Sequence, residues 1–331
     1  MNEDMGFESV RRHVPFAAIF VAALLLMPQL GIAQQPNSET LGEPGNLETS
    51  LRGPVQRQLA AAYPDSFREG VDILWEPRDA WVSEEVLSWW LSRLPQEDIG
   101  GVTQEAADRM FSRFPAQGPV FPGARKRAIC AVVGPSRNLL ESRYGNLIDA
   151  HDLVIRINRA PTDDFDSDVG TRTTHHVVWP RRLEEGQYDR EAFLLMTPVA
   201  TATTDVFSRI IELALGFEWD LTRVRLIHPE FVKYLHENWT GERETYPSTG
   251  FVALMMALHV CDEVDVFGFG ADASGRWDRY YEDDSVDVSG FHPGDFEGRL
   301  RREMEEKGIL KVFSGSRDEP SRDSRMSEDV R

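Results

Sequence analysis

From Ala128 onward, apolar runs and polar amphipathic stretches alternate in the rhythm of strands and helices. AICAVVG (128–134) is a short β-branched run closed by Gly134, SRNLLESRYGNLIDA (136–150) is amphipathic, and DLVIRIN (152–158) is a second apolar run. Strand, helix and strand in that order form the repeating unit of a parallel sheet. RVRLIH (223–228) and EVDVFGFG (263–270) read as further buried strands. Between them, STGFVALMMALHVC (248–261) opens on hydroxyl and Gly residues and continues apolar, as a capped and largely buried helix does. Upstream, VSEEVLSWWLSRL (82–94) has apolar positions at helical spacing and predicts a helix with one face on the core. The pattern implies an α/β fold with a mostly parallel central sheet flanked by helices. Ligands of such sheets bind outside the carboxyl ends of the strands.

The flanks have a different pattern. Arg11, Arg12 and His13 precede VPFAAIFVAALLLMPQLGIA (14–33), a run close to the ~20 residues that a membrane-spanning helix needs. Positive residues before the run predict a signal anchor, with 1–13 in the cytosol and the remainder in the lumen. The rival reading is a signal peptide cleaved near Ala33, after the small residues Gly31-Ile32-Ala33. Both readings send the chain into the secretory pathway. Residues 34–62 are rich in Gly, Pro, Ser and Gln without a sustained apolar period and are expected to form a flexible stem; 314–331 are expected to be a disordered tail. A single lumenal domain is left over 63–313.

Charge and cysteine content narrow the function classes. With 36 Lys plus Arg against 55 Asp plus Glu, a net charge of -19 argues against a nucleic-acid surface. Cys130 and Cys261 are the two cysteines; an oxidising lumen lets them pair, and spacing alone is equally compatible with two buried thiols. Asn238-Trp239-Thr240 has the form of a glycosylation acceptor, a triplet that also arises by chance.

Several residues could support chemistry. The turn Gly134-Pro135-Ser136-Arg137-Asn138 lacks the GxGxxG spacing of a dinucleotide site, yet it places Ser136, Asn138 and a helix N-terminus at the sheet edge; an ordinary turn is the plain alternative. YPSTG (246–250) ends at a helix N-terminus and offers an anion the Tyr246 phenol, the Ser248 and Thr249 hydroxyls, and backbone donors up to Gly250. His292, with Glu297 five residues later, suits a general base tuned by a carboxylate, although spacing alone favours a structural His. TDDFDSD (162–168) reads as a solvated acidic loop rather than a metal site, and His175-His176 read as capping or packing residues because no third ligand is spaced for a metal.

In combination these stretches resemble a known family. Residues 130–176, ending DVGTRTTHH, look like the large motif of the eukaryotic sialyltransferases. HPEFVKYLHENW, YPSTG and HVCDEVDVFGFGADASG resemble the small motif, and RYYE and HPGDFE the two short motifs that follow; the small motif is most similar to the β-galactoside α-2,3 branch. The resemblance implies a variant Rossmann-like, GT-A-like glycosyltransferase fold. It also implies CMP-sialic acid as donor, a galactose-terminated glycan as acceptor, inversion at the anomeric carbon, no metal cofactor and a type II Golgi membrane location. Carried over by position, Asn138, Asn158, Ser136, Ser248, Thr249, Gly250 and Gly270 contact the nucleotide, Tyr246 reaches the phosphate, His292 is the base, and Cys130 pairs with Cys261. Two positions depart from the family: Pro135 stands where Asn is frequent, and Arg279 where a His assists the departing phosphate. Arg279 can stabilise that phosphate by charge but cannot donate a proton to it. A different CMP-linked keto-sugar acid, such as a 3-deoxy-octulosonate, or an inactive nucleotide- or glycan-binding relative, are the alternatives this leaves.

Overall fold

A computed structural model describes residues 53–76, 81–93, 103–114, 118–123, 127–180, 188–189, 191–198, 214–216, 219–241, 246–270, 278–282 and 294–315. The anchor expected over 14–33 and the stem up to residue 52 lie outside them. Among the described residues, no helix is long and apolar enough to cross a membrane.

The described strands are β1 (Leu74–Trp75), β2 (Ile129–Val133), β3 (Leu153–Ile157), β4 (His175–Val178), β5 (Phe193–Met196), β6 (Val224–Ile227), β7 (Glu263–Phe267) and β8 (Lys311–Phe313). They lie in one sheet in the order β1-β6-β5-β4-β3-β2-β7-β8. Only β1 runs antiparallel to its neighbour. Strands β2 and β3 read as nearly unbroken apolar runs because both sheet faces are covered. Cys130 and Val132 join the core on one face, while Ala131 and Val133 pack with Leu139, Ile148 and Val169 on the other.

The Thr249–Val260 helix has all of Phe251 to Leu258 buried. It packs on β2, β3, β4 and β7, and the Pro54–Ala62 helix packs against it. A helix that is apolar all round needs such cover on every side. This corrects the stem expected over 34–62, because its last nine residues form a helix that belongs to the core. Val55 and Leu59, four apart and so on one helical face, are buried, and Gln56 Nε2 donates to the carbonyls of Leu258 (2.8 Å) and Cys261 (2.7 Å). The segment's Gly, Pro and Gln content masked that short apolar repeat.

The amphipathic stretch 136–150 is corrected too. It is a 3₁₀ turn (Arg137–Leu139) and a short helix (Gly145–Asp149), separated by left-handed residues Glu141 (φ 64°) and Arg143 (φ 57°). The Asp168 carboxylate accepts the backbone N–H groups of Glu141 (2.8 Å) and Arg143 (2.9 Å), replacing the bonds a continuous helix would have made. Asp168, expected in a solvated acidic loop, thus has a structural task. His175 and His176 are packing residues, as expected, but from within β4 itself: both are buried, His175 stacks on Phe121 and on Phe193 of β5, and His176 meets Tyr188 and Trp219 edge-on. The Asn238-Trp239-Thr240 triplet lies at a π-helical turn (Leu235–Trp239) with Trp239 and Thr240 buried, and the Thr240 hydroxyl donates to His236 O at 2.9 Å.

The connections from β2 through β3, β4 and β5 to β6 build the sheet to one side. The chain then returns to place β7 on the other flank of β2 and continues outward to β8. The order reverses between β2 and β7, and the crevice of an open α/β sheet lies at such a reversal.

Candidate active site

The two loops leaving that reversal touch backbone to backbone. Gly134 N–H donates to Phe267 O (2.8 Å) and Ser136 N–H to Gly268 O (3.0 Å). A Cβ on Gly134 would lie 2.4 Å from Gly268 O, and one on Gly268, whose φ is +68°, would lie 2.5 Å from Gly134 O. Side chains complete the join: Ser136 Oγ donates to Gly270 O (2.8 Å) and Asn138 Nδ2 to Phe269 O (3.3 Å). Asn138 Oδ1 is buried with no hydrogen-bond partner among the described residues. Ser136 also pairs with Arg279 in an isolated antiparallel bridge, and the Pro135 carbonyl accepts Tyr280 N–H at 3.0 Å. The Arg279 side chain turns to Glu282, with Nη1 at 2.6 and 2.9 Å from its two carboxylate oxygens.

A second group meets at the N-terminus of the Thr249–Val260 helix. Ser248 is the N-cap, its Oγ accepting Phe251 N–H at 3.0 Å. Glu297, from the Gly294–Glu306 helix, accepts both Ser248 N–H (2.8 Å) and Ser248 Oγ–H (2.6 Å). Burial pushes the Glu297 carboxyl up to about 7, against the two hydrogen bonds from Ser248. Glu297 was expected to tune His292, but its described partner is Ser248; His292 itself lies outside the described residues.

Phe269 links the two groups, and sequence reasoning passed over it. A Cβ on Gly134 would lie 3.0 Å from its ring and one on Gly250 3.3 Å, so the ring is wedged between two glycines while its carbonyl holds Asn138. An aromatic residue flanked by Gly268 and Gly270 after an apolar strand was the available signal. Gly270 itself has φ +103°, a conformation suited to glycine. Asn158, at the end of β3 with φ 51°, uses Oδ1 to accept Trp179 N–H at 2.9 Å and so ties β3 to β4. Tyr246 stands edge-on to Trp89 at 5.7 Å, and burial raises its phenol above the ordinary range, so it stays protonated at neutral pH. Beneath the site, Cys130 of β2 and Cys261 at the end of the Thr249–Val260 helix form a disulfide with Cα atoms 6.2 Å apart, inside the range such a bridge spans.

Comparison with known proteins assigns this arrangement. Residues 76–309 match glycosyltransferase family 29 (sialyltransferase). Human CMP-N-acetylneuraminate-beta-galactosamide-alpha-2,3-sialyltransferase 1 is 34% identical over 278 residues, 78% of this chain and 80% of that protein. The rat alpha-2,3-sialyltransferase 2 is 32% identical over 268 residues, 77% of this chain and 76% of that protein. The crystal structure of a mammalian sialyltransferase in complex with Gal-beta-1-3GalNAc-ortho-nitrophenol superposes with a TM-score of 0.68 at 29% identity, covering 80% of this chain and 98% of that one. With the family's match spanning strands β2 to β7, both loops of the β2/β7 reversal and the Ser248–Glu297 contact, the chain belongs to glycosyltransferase family 29, the sialyltransferases.

Proposed function

We propose that this sialyltransferase moves sialic acid from CMP-sialic acid to a terminal galactose hydroxyl in α-2,3 linkage, with inversion, with His292 as general base and without a metal. The observation that carries the reading is the meeting of motifs far apart in sequence at the β2/β7 reversal, where Ser136 and Asn138 bond the backbone of Gly270 and Phe269. The buried Asn138 Oδ1 is an acceptor suited to an amino donor such as that of cytosine. The first N–H groups of the Thr249–Val260 helix suit the single phosphate of a CMP leaving group. Tyr246, held neutral by burial, can donate its phenolic hydrogen to the same phosphate.

His292 removes the acceptor hydroxyl proton as that oxygen attacks the anomeric carbon and CMP departs. The departure at Arg279, ion-paired with Glu282, leaves a second reading, transfer of another CMP-linked keto-sugar acid, which presents an anomeric carboxylate as sialic acid does. The supporting features for placement are the N-terminal apolar run and the disulfide: a single-pass type II protein of the Golgi membrane, or a secreted form cleaved near Ala33.

The test is to incubate the protein with each CMP-sugar and a panel of galactosides, reading product linkage by mass spectrometry. Transfer of sialic acid to the galactose 3-hydroxyl, unaffected by a chelator, is the expected result. Transfer of only another keto-sugar acid supports the second reading, and CMP binding without transfer identifies an inactive relative. His292→Ala should lower kcat by roughly 10²- to 10⁴-fold with CMP binding little changed; proportional loss of both would remove His292 from the role of base.

A further inference from the structure

Ser248 cannot serve its helix and an anion equally in the observed arrangement. A hydroxyl has one hydrogen and two lone pairs. The hydrogen of Ser248 goes to Glu297 Oε2 at 2.6 Å, and one lone pair takes Phe251 N–H at 3.0 Å. Only an acceptor site remains, and it would repel a phosphate oxygen. The carboxylate behind it is itself buried at a helix N-terminus, where an arriving anion would be a second negative charge in the same field.

We propose that Glu297 is a positioning residue that acts through Ser248, taking up a proton when the anionic donor binds and thereby turning the Ser248 hydroxyl toward the donor. This rests on the reading of the Thr249–Val260 N-terminus as part of the donor site. The exchange keeps every hydrogen bond. Protonated Glu297 donates to Ser248 Oγ, its carbonyl oxygen keeps the Ser248 N–H, Ser248 Oγ keeps Phe251 N–H on its other lone pair, and the released hydroxyl hydrogen points to the ligand. Only one proton moves, from solvent to Glu297.

Burial favours that proton. Among the described residues Glu297 has no ion-pair partner. Among the described residues, the elements that meet there carry Tyr246, whose phenol burial keeps neutral; Arg93, whose charge acts on Tyr246; His259 near the far end of the Thr249–Val260 helix; and, on the helix of Glu297 itself, Arg299, Arg302 and Arg301, whose Nη2 lies 3.4 Å from a Cβ built on Gly270. With a carboxyl already raised to about 7, a nearby phosphate needs to shift it only modestly to complete protonation at neutral pH.

Binding of CMP-sialic acid to the full chain, without acceptor, is measured by calorimetry between about pH 5.5 and 8.5 in two buffers of different ionisation enthalpy. The donor's phosphodiester and carboxylate do not titrate there, so proton uptake reports the protein. Wild type should take up a fraction of a proton and bind more weakly as pH rises, up to about tenfold for each unit by which the donor raises Glu297. Glu297→Gln, whose amide nitrogen donates to Ser248 Oγ as the protonated acid would, should bind tightly at every pH with no uptake. Ser248→Ala should bind weakly at every pH, and His292→Ala should keep the wild-type uptake. Uptake that persists in Glu297→Gln, or a flat wild-type profile, overturns the proposal while leaving the donor site intact. If Ser248→Ala binds as wild type does at every pH, the donor-site reading of this helix N-terminus fails with it.

Discussion

Gly134 and Gly268 set the closest tolerance in the site, since each leaves about 2.5 Å or less between a would-be Cβ and the other's carbonyl oxygen. Gly241 shares the left-handed conformation, with φ +69°, but a Cβ there would meet nothing within 4 Å. Comparing the two separates backbone strain from collision. Gly241→Ala should cost about 1 kcal/mol, the price of the left-handed conformation alone, while Gly268→Ala should cost several times that. Urea midpoints check the stability difference, and the donor KM checks the site: it should rise for Gly268→Ala and stay put for Gly241→Ala. Ser248 belongs to the same scale. Its hydroxyl reads as a nucleotide contact in sequence, yet its hydrogen is already committed to Glu297.

Among the elements, the Thr249–Val260 helix is held from two directions. The disulfide fastens its end to β2 across a sequence separation of 131 residues. In the chain-entropy model, closing so long a loop stabilises by about 4 to 5 kcal/mol. The Cys130→Ala/Cys261→Ala double variant should therefore unfold at markedly lower denaturant, and reductant should shift the wild type, but not the variant, in the same direction. On the outer side the Pro54–Ala62 helix contributes Leu59, fully buried against the core. Leu59→Ala should cost about 3 kcal/mol, whereas an Ala at exposed Gln58 should change little. A Leu59→Ala midpoint equal to wild type would return the segment to the stem expected from its composition.

For the whole molecule, buried histidines set the response to acid. Burial holds His175 and His259 at about 4 and His176 at about 3, so all three are neutral in the fold and protonate on unfolding below about 6.5. Their contribution is present at neutral pH and lost as pH falls from about 6.5 toward 4. Two groups oppose this. Glu297, raised to about 7, becomes less costly as pH falls through that value. His151 is raised despite its burial by bonds to Asp265 and to the Leu147 and Ile148 carbonyls, and it favours the fold at lower pH. Among the described residues, three depressed histidines against two raised groups, with His176 moved furthest, predict a lower unfolding midpoint at pH 5 than at pH 7; chemical denaturation at the two values decides it. Local pattern was enough for the α/β class, β2, β3, β6 and β7, the capped helix after Ser248 and the motifs that carry the family, because apolar period and local capping are written in neighbouring residues. β1, β4, β5 and β8 escaped it: they span only two to four residues each, or place His175 and His176 in a buried strand. The helix at Pro54 and the break at Glu141 escaped it as well, since one depends on a distant helix needing cover and the other on Asp168. Which strand lies on the other flank of β2, and so where the sheet order reverses, is set by the pairing of segments more than a hundred residues apart. Tertiary structure alone also seated Phe269 between two glycines and gave Glu297 to Ser248, contacts that no local spacing encodes.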